Sequence, residues 1–384
     1  MRVQYLFSSS EGDVPLDDKT LDRAFLLSPF EAHPFLTLRD YFQSIERFIL
    51  DRVEDLGAKS EAALSPDRIG EILIRSEKHG TLYHVASVEI AGDGTRRKVA
   101  ISTAFSEPRM EDLLHEYETM RFLNQHFSYD YIPKVYLASE VLCSNPKGNE
   151  TVVMCVSEWL EGYHEWHLTV DQDGKQSLLV WDMEKGNRTA SREESHALFR
   201  EASKILTLYY DTTTYRQIYP WHHAAGDFVV KSSGGATEVK LITARNYMSL
   251  ISFPREADTN RVTALVAFLL NMALQMRLDR VDGVGEPVWA QDQAVQATLE
   301  GFFDALRTMK AEGRCDLGEG PDLLTVLNKF SKEELHRLYD PLVESYRKEK
   351  PEDFKVVERN LEDHIATLWR ALQASDEGGL PGTL

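Results

Sequence analysis

Three short runs between residues 71 and 105 constrain this chain more than any other feature. EILIRSEKHG, TLYHVASVEIAG and RKVAISTAF are rich in β-branched and aromatic residues and alternate apolar with polar positions. Gly80 and Gly92-Asp93-Gly94 separate them. An Asp-Gly pair between alternating runs is a strong hairpin signal, so three antiparallel strands are expected here. MEDLLHEYETMRFLNQHF follows, with Leu113, Leu114, Tyr117, Met120, Phe122 and Leu123 at helical spacing. Pro133 then opens a strand, KVYLASEVL, and TVVMCVSEWL reads as another. Five strands with a helix after the third make a compact mixed lobe, placed at residues 67–162.

The texture on either side differs. Residues 1–16 read as a strand or the start of a loop. From residue 34 to 56, Leu38, Phe42, Ile45, Phe48, Ile49 and Val53 recur at helical spacing, until Ser65-Pro66-Asp67 breaks the pattern. Residues 1–66 are therefore read as an N-terminal helical extension. After Gly162, HLTVDQDGKQSLLVWDM reads as a hairpin turning at Asp173-Gly174. Helices dominate from Ser191, where Ser191-x-x-Glu194 resembles a capping box. Further helices are expected at 258–280, 289–312, 331–348 and 352–374, and SDEGGLPGTL reads as a loose tail. The expected fold class is α+β, with a small antiparallel-sheet lobe and a mostly helical lobe at 163–384 that carries the hairpin insertion.

The chain has 384 residues, more than one core usually holds. A formal net charge of −19 repels phosphate backbones and argues against nucleic acid as a general partner. Cys143, Cys155 and Cys315 fit no zinc spacing, and an odd count argues against a disulfide framework, so a reducing cytoplasm is expected. The most apolar stretch, VTALVAFLLNMALQM, is short for a membrane span and carries Asn271 and Gln275, so it reads as a buried helix and no membrane is expected.

HEYETMRFL (115–123), YIPKVYLASE (131–140) and VVMCVSEWLEGY (152–163) lead to IYPWHHAAGDFVVKSSGGATEVKLITARNY (218–247). Together, in this order, they resemble the aminoglycoside phosphotransferase and choline kinase branch of the protein-kinase-like superfamily, over roughly residues 70–250. The resemblance implies a bilobal kinase-like fold, ATP and Mg²⁺ as cofactors, and phosphate transfer to a small hydroxyl compound. It makes Glu158, Trp159 and Leu160 the hinge that meets adenine. It makes Glu116 the helix glutamate that pairs with a phosphate-gripping lysine.

The chain departs from that pattern at the charged positions. Val99-Ala100-Ile101-Ser102 puts Ser102 where the lysine belongs. Lys98 shares the strand face but lies about 13 Å away along it. Without a lysine, Glu116 is solvated or meets another donor. The turn SEKHGTLYHV carries one glycine, Gly80, where phosphate-covering loops carry several, and Lys78 and His79 flank it. Two registers fit the loop at 218–227. In one, Asp227 is the catalytic base and Ser232 stands at the metal-binding asparagine position. In the other, Asp227 takes the metal position and the base falls on His222. The second is preferred because Phe228-Val229-Val230 then begins the following strand at the expected distance. The second metal ligand falls on Thr243, whose hydroxyl is a poor substitute for a carboxylate. Lys231, Lys240 and Arg245 are candidates to compensate for lost charge.

Other readings of these residues stand beside the first. His222, His223 and Asp227 combine imidazole with carboxylate, a set that suits a transition metal, or Trp221-His222-His223 is a structural corner. MRLDRVDGVGEPVW (276–289) places Asp279, Asp282 and Glu286 around two glycines, reads as a helix end plus loop, and in a kinase-like lobe would line the acceptor pocket. Tyr209, Tyr210, Tyr215 and Tyr219 read as core or lobe interface. Three functions follow: a divergent phosphotransferase acting on a small molecule, a pseudokinase that binds a nucleotide, another small ligand or a protein without transferring phosphate, or a cleft that hosts a different reaction on a different cofactor.

Overall fold

The computed structural model describes residues 1–8, 12–28, 30–58, 66–79, 82–92, 94–182, 185–221, 224–254, 258–315, 317 and 323–374. They form an α+β chain in two compact units, one of residues 1–161 with 183–186, the other of 162–182 with 187–384.

The first unit is built on one sheet. In chain order it contains β1 (Arg2–Phe7), β2 (Val14–Pro15), α1 (Asp18–Leu21), β3 (Ala24–Ser28), β4 (Glu31–Thr37) and α2 (Leu38–Ala58). Then come β5 (Glu71–His79), β6 (His84–Gly92), β7 (Thr95–Ala104), α3 (Glu107–His126), β8 (Val135–Asn145) and β9 (Gly148–Glu158). The seven-stranded sheet runs β2-β1-β5-β6-β7-β9-β8, and β3 pairs with β4 apart from it. Gly92 pairs with Thr95 across the expected two-residue turn, whose Gly94 holds φ +77°. Such a φ suits a residue without a Cβ.

The sheet corrects two expectations. It has seven strands rather than five, and it is mixed, because β1 pairs parallel with β5 from Arg2↔Glu71 to Phe7↔Ser76. The first 66 residues are therefore not a helical extension alone. Parallel neighbours need a long crossover, and here the connection includes α2, which packs on the sheet it helps to extend. Phe42, Ile45, Ile49 and Val53 on α2 meet Ile72, Ile74, Val88, Ile90, Val99 and Ile101 in one core. The opposite face carries a smaller cluster of Ala104, Leu113, Val153 and Cys155, with Met110, Leu114 and Tyr117 of α3 against it.

The second unit begins with β10 (Glu165–Val170) and β11 (Gln176–Trp181), a hairpin that Gly174 turns at φ +77°, joined by β12 (Arg188–Thr189). α4 (Arg192–Leu208) follows, then β13 (Arg216–Ile218), α5 (Ala224–Asp227), the hairpin β14 (Phe228–Ser233) and β15 (Ala236–Leu241), and β16 (Tyr247–Ser249). The chain continues through α6 (Asp258–Gln275), β17 (Leu278–Arg280), β18 (Pro287–Trp289), α7 (Gln293–Ala311), α8 (Leu323–Asn328), α9 (Lys332–Glu349) and α10 (Pro351–Ala374). Ser191 Oγ caps α4 by accepting the Glu194 N–H at 3.1 Å. The Glu194 carboxylate, which would complete a capping box, instead receives Arg188 at 2.7 and 2.6 Å.

Helices α4 and α7 form the centre of this unit. A Cβ at Gly301 would collide with the Arg200 carbonyl oxygen, so glycine there permits the close crossing. Ser203 Oγ spans the contact, donating to the Thr298 carbonyl at 2.6 Å. The apolar stretch 262–276 lies in α6 and is largely buried. No helix among the described residues is long and apolar enough to cross a membrane. The run 276–289 is more ordered than a helix end plus loop, since β17 and β18 pair within it.

Candidate functional site

In the first unit, strand alternation sorts the β7 side chains. Val99 and Ile101 enter the α2-side core, while Ala100, Ser102 and Ala104 face the α3 side. Ser102 lies opposite Cys155 of β9. Glu116 of α3 acts on that thiol. Burial first, then the Glu116 charge, pushes the Cys155 pKa up to about 12. Tyr83 Oη donates to Glu116 Oε2 at 3.3 Å. A serine, a thiol and a phenol are thus among the groups near the helix glutamate and the lysine position.

The hinge residues are half-buried. Glu158 holds the start of β8. Its N–H donates to the Lys134 carbonyl at 2.8 Å, and its Oε2 accepts the Lys134 N–H at 3.1 Å. Lys98 Nζ lies 4.2 Å from the Trp159 ring centroid and 4.0 Å from the Glu161 carboxylate. Lys98 is therefore engaged at the hinge rather than at Ser102. Leu160 has no specific contact that assigns it a role. Gly80 lies outside the described residues.

In the second unit, α5 delivers Asp227 directly into β14. Phe228 and Val230 with Val239 and Leu241 form the buried face of the hairpin. Lys231 and Lys240 share the other face, with Nζ atoms 5.5 and 5.8 Å from the Tyr163 ring centroid. Tyr163 Oη donates to Glu238 Oε2 at 2.9 Å. Both lysines therefore flank an aromatic ring on one side of the hairpin. The Ile242 N–H donates to the Asp227 carbonyl at 2.9 Å and ties the return strand to α5. Gln275 Nε2 donates to the Trp221 carbonyl and fixes the preceding corner.

Asp227 is 2% exposed. Arg245 holds its carboxylate with two hydrogen bonds, Nη1 to Oδ2 at 3.0 Å and Nη2 to Oδ1 at 2.9 Å. Arg245 Nη1 also reaches the Pro220 carbonyl at 3.4 Å. This fork-to-fork pairing is the strong form of a carboxylate ion pair. Thr243, which the resemblance puts at the second metal position, is half-buried just past β15. His222 and His223 lie outside the described residues, so neither the preferred base nor the imidazole–carboxylate metal set has a described geometry.

These residues do not fit Mg²⁺. Mg²⁺ asks for one or two carboxylates with near-octahedral freedom. Here the single carboxylate has both oxygens committed to a guanidinium, and its companion is a hydroxyl. Among the described residues no three His, Cys, Asp or Glu side chains gather so as to hold a metal ion. The pairing of Asp227 with Arg245 was not anticipated, although 18 residues separate them across one hairpin. The hairpin itself was legible, and it carries the chain back past Asp227.

Asp279 was flagged as a lining residue and instead supports β10. It is 3% exposed, accepts the Leu168 N–H at 2.7 Å and lies 3.3 Å from His167 Nδ1. Tyr209 and Tyr210 are buried. No protein-family model matches the chain, and no curated protein matches it significantly.

Proposed function

We propose that this chain is a divergent kinase-like protein of the aminoglycoside and choline phosphotransferase type that binds a small ligand and does not transfer phosphate. The order of elements supports the kinase-like part. Strands β5, β6 and β7, helix α3, strands β8 and β9, helix α4, the 218–227 loop, the β14–β15 hairpin and further helices follow the order on which the resemblance rests. The Asp227–Arg245 pair carries the binding part. Phosphoryl transfer depends on cations that neutralise charge at the transferring group. In this chain the carboxylate that would recruit such a cation already holds one, and that cation is a fixed arginine. Ser102 removes the phosphate-gripping lysine as well. Three cysteines, an odd number without zinc spacing, suit a reducing compartment such as the cytoplasm.

Thermal denaturation of the full chain with ATP, ADP and GTP, each with Mg²⁺ or with EDTA, tests the reading. A ligand at about 100 times its Kd adds about 2.7 kcal/mol of stability. Stabilisation equal in Mg²⁺ and in EDTA, with no nucleotide turnover, is expected. Stabilisation that needs Mg²⁺, together with phosphate transfer to a hydroxyl compound, would overturn it in favour of a working phosphotransferase using ATP and Mg²⁺.

A further inference from the structure

We infer that the first unit associates with a second copy of this chain through the outer edge of β8, the two strands pairing antiparallel with Leu142 at the centre.

The seven-stranded sheet has two edges, and they are finished differently. One is β2, two residues long and ending at Pro15. A proline has no N–H to offer a further strand, and so short an edge gives it little to pair with. The other is β8, eleven residues from Val135 to Asn145, paired on one side with β9. In an antiparallel pair, alternate residues aim their N–H and C=O away from the partner strand. The ends of β8 are tied down. Asn124 Oδ1 of α3 accepts the Val135 N–H at 3.2 Å, and Asn145 Nδ2 donates to the Phe35 carbonyl of β4 at 3.0 Å. Between those ties, among the described residues, only β9 bonds to the backbone of residues 137–144 from outside the strand. The Ser139 hydroxyl donates to the neighbouring Glu140 carbonyl at 3.1 Å, a local bond that an incoming N–H can replace. Natural edges are blunted by proline, lysine, bulges or covering elements. Residues 137–144 contain no proline and no lysine, and the register shift of β8 falls before them, between Val135 and Leu137.

Side chains and charge select the partner. Leu137, Val141 and Cys143 belong to the α2-side core, so Ala138, Glu140 and Leu142 take the α3 side. There Glu140 is exposed and Leu142 is 54% exposed. From residue 134 to 150 the charged residues are Lys134, Glu140, Lys147 and Glu150, which cancel in a chain of net charge −19. A second copy therefore meets less repulsion along this edge than the overall charge implies. Directly opposed residues of an antiparallel pair share a face, so a two-fold pairing that continues the sheet centres on one residue and its mate. Centred on Glu140, it would set carboxylate against carboxylate. Centred on Leu142, it sets the two exposed leucines together and Glu140 opposite Ser144, with no like charges opposed. Such a contact uses the same patch on both copies and closes as a dimer. The outer edges of the joined sheet are then two copies of the blunted β2, so strand addition stops there.

Sedimentation velocity of the full chain, from low to high micromolar concentration, provides the test, and a dimer is expected to form as concentration rises. Leu142→Lys opposes two ammonium groups at the centre of the pairing and should weaken the dimer by about tenfold or more. Because Leu142 is exposed, the monomer of that variant should melt as the parent monomer does. Cross-linking fixes the register and serves if Leu142→Lys does not fold. Under a mild oxidant Leu142→Cys should link to its own mate, while Glu140→Cys alone should not. Glu140→Cys mixed with Ser144→Cys should link. The parent chain, with Cys143 and Cys155 buried, is the control. A monomer at every concentration overturns the inference, whether the edge stays free or takes a strand from another protein. A dimer that Leu142→Lys leaves intact, with no cross-link in Leu142→Cys, lies elsewhere on the molecule and overturns it as well.

Discussion

At Ser102 in the first unit and at Asp227 in the second, the resemblance expects fixed charge, and the two places depart from it in different ways. At Ser102 the cation is deleted. A serine faces α3, Glu116 takes a hydrogen bond from Tyr83, and Cys155 lies across the strand pair. At Asp227 the cation is exchanged. The carboxylate is present, and Arg245 holds it where the resemblance expects a divalent metal. Deleting a charge lets a site relax into ordinary packing. Exchanging one keeps a buried ion in place, together with the need to satisfy it. The second unit should therefore respond sharply to loss of its charges and the first only mildly.

Arg245→Ala gives the largest expected effect. It leaves the buried Asp227 carboxylate without its guanidinium, and breaking a buried pair from one side costs about 3–5 kcal/mol. Chemical denaturation should show that loss, and Asp227→Asn in the same chain should recover a large part of it. A loss under about 1 kcal/mol would mean that solvent reaches Asp227 easily, and the contrast between the two sites would collapse.

Next comes the pH response of the second unit, which holds another polar group out of water. His364 is fully buried, with Nε2 2.8 Å from Tyr339 Oη. Tyr339 Oη also reaches the Leu270 carbonyl at 3.2 Å. Burial, with Arg277 nearby, pushes the His364 pKa down to about 3. An unfolded histidine takes up its proton near pH 6.5, well above that value. The stability from keeping His364 neutral is therefore complete above pH 6.5 and is lost as pH falls from there toward 3. The slope is about 1.4 kcal/mol per pH unit for one proton. Urea titrations at pH 7.0 and 5.5 should show this fall in the parent chain and a flatter response in His364→Leu. Equal slopes would remove His364 from the account.

How much of this was legible depends on the distance over which each signal acts. The strands at 71–105, the helix carrying Glu116 and the hairpin at 228–241 follow from local alternation and Asp-Gly or Gly-Gly turns, and the structure places them there. The β1–β5 pairing was not legible, because a parallel pair joined through α2 leaves no local mark on the run Arg2–Phe7. The candidate site divides in the same way. That a serine stands at 102 and a threonine at 243, where the resemblance expects charged residues, can be read directly, since it is a matter of identity at a position. That Arg245 grips Asp227 depends on how the hairpin and the segment that follows it pack. Composition and spacing do not encode that.

The first unit supplies the smaller effects that complete the contrast. Glu116→Gln keeps the shape and removes the charge that Tyr83 Oη meets at 3.3 Å. A hydrogen bond to a charged group is worth about 1.5–3 kcal/mol, and the amide oxygen still accepts, so a loss of about 1 kcal/mol is expected. The Cys155 thiol reports the same change independently, since the Glu116 charge is one of the two causes that raise its pKa. In Glu116→Gln the thiol should react faster with a neutral disulfide at pH 9 than in the parent chain. A slower reaction would place the carboxylate elsewhere.

Ser102→Ala is the smallest change and the most informative about deletion. Ser102 sits half-buried in β7, its backbone pairing with Val85 and Cys155 is independent of its hydroxyl, and alanine fits the same face that Ala100 and Ala104 already share. If the lysine position has become plain sheet, stability should move by no more than about 0.5 kcal/mol. A stability loss above 2 kcal/mol would mean that the serine hydroxyl has a buried partner of its own. The first unit would then also have exchanged its charge for a specific polar contact, and the two sites would differ in degree rather than in kind.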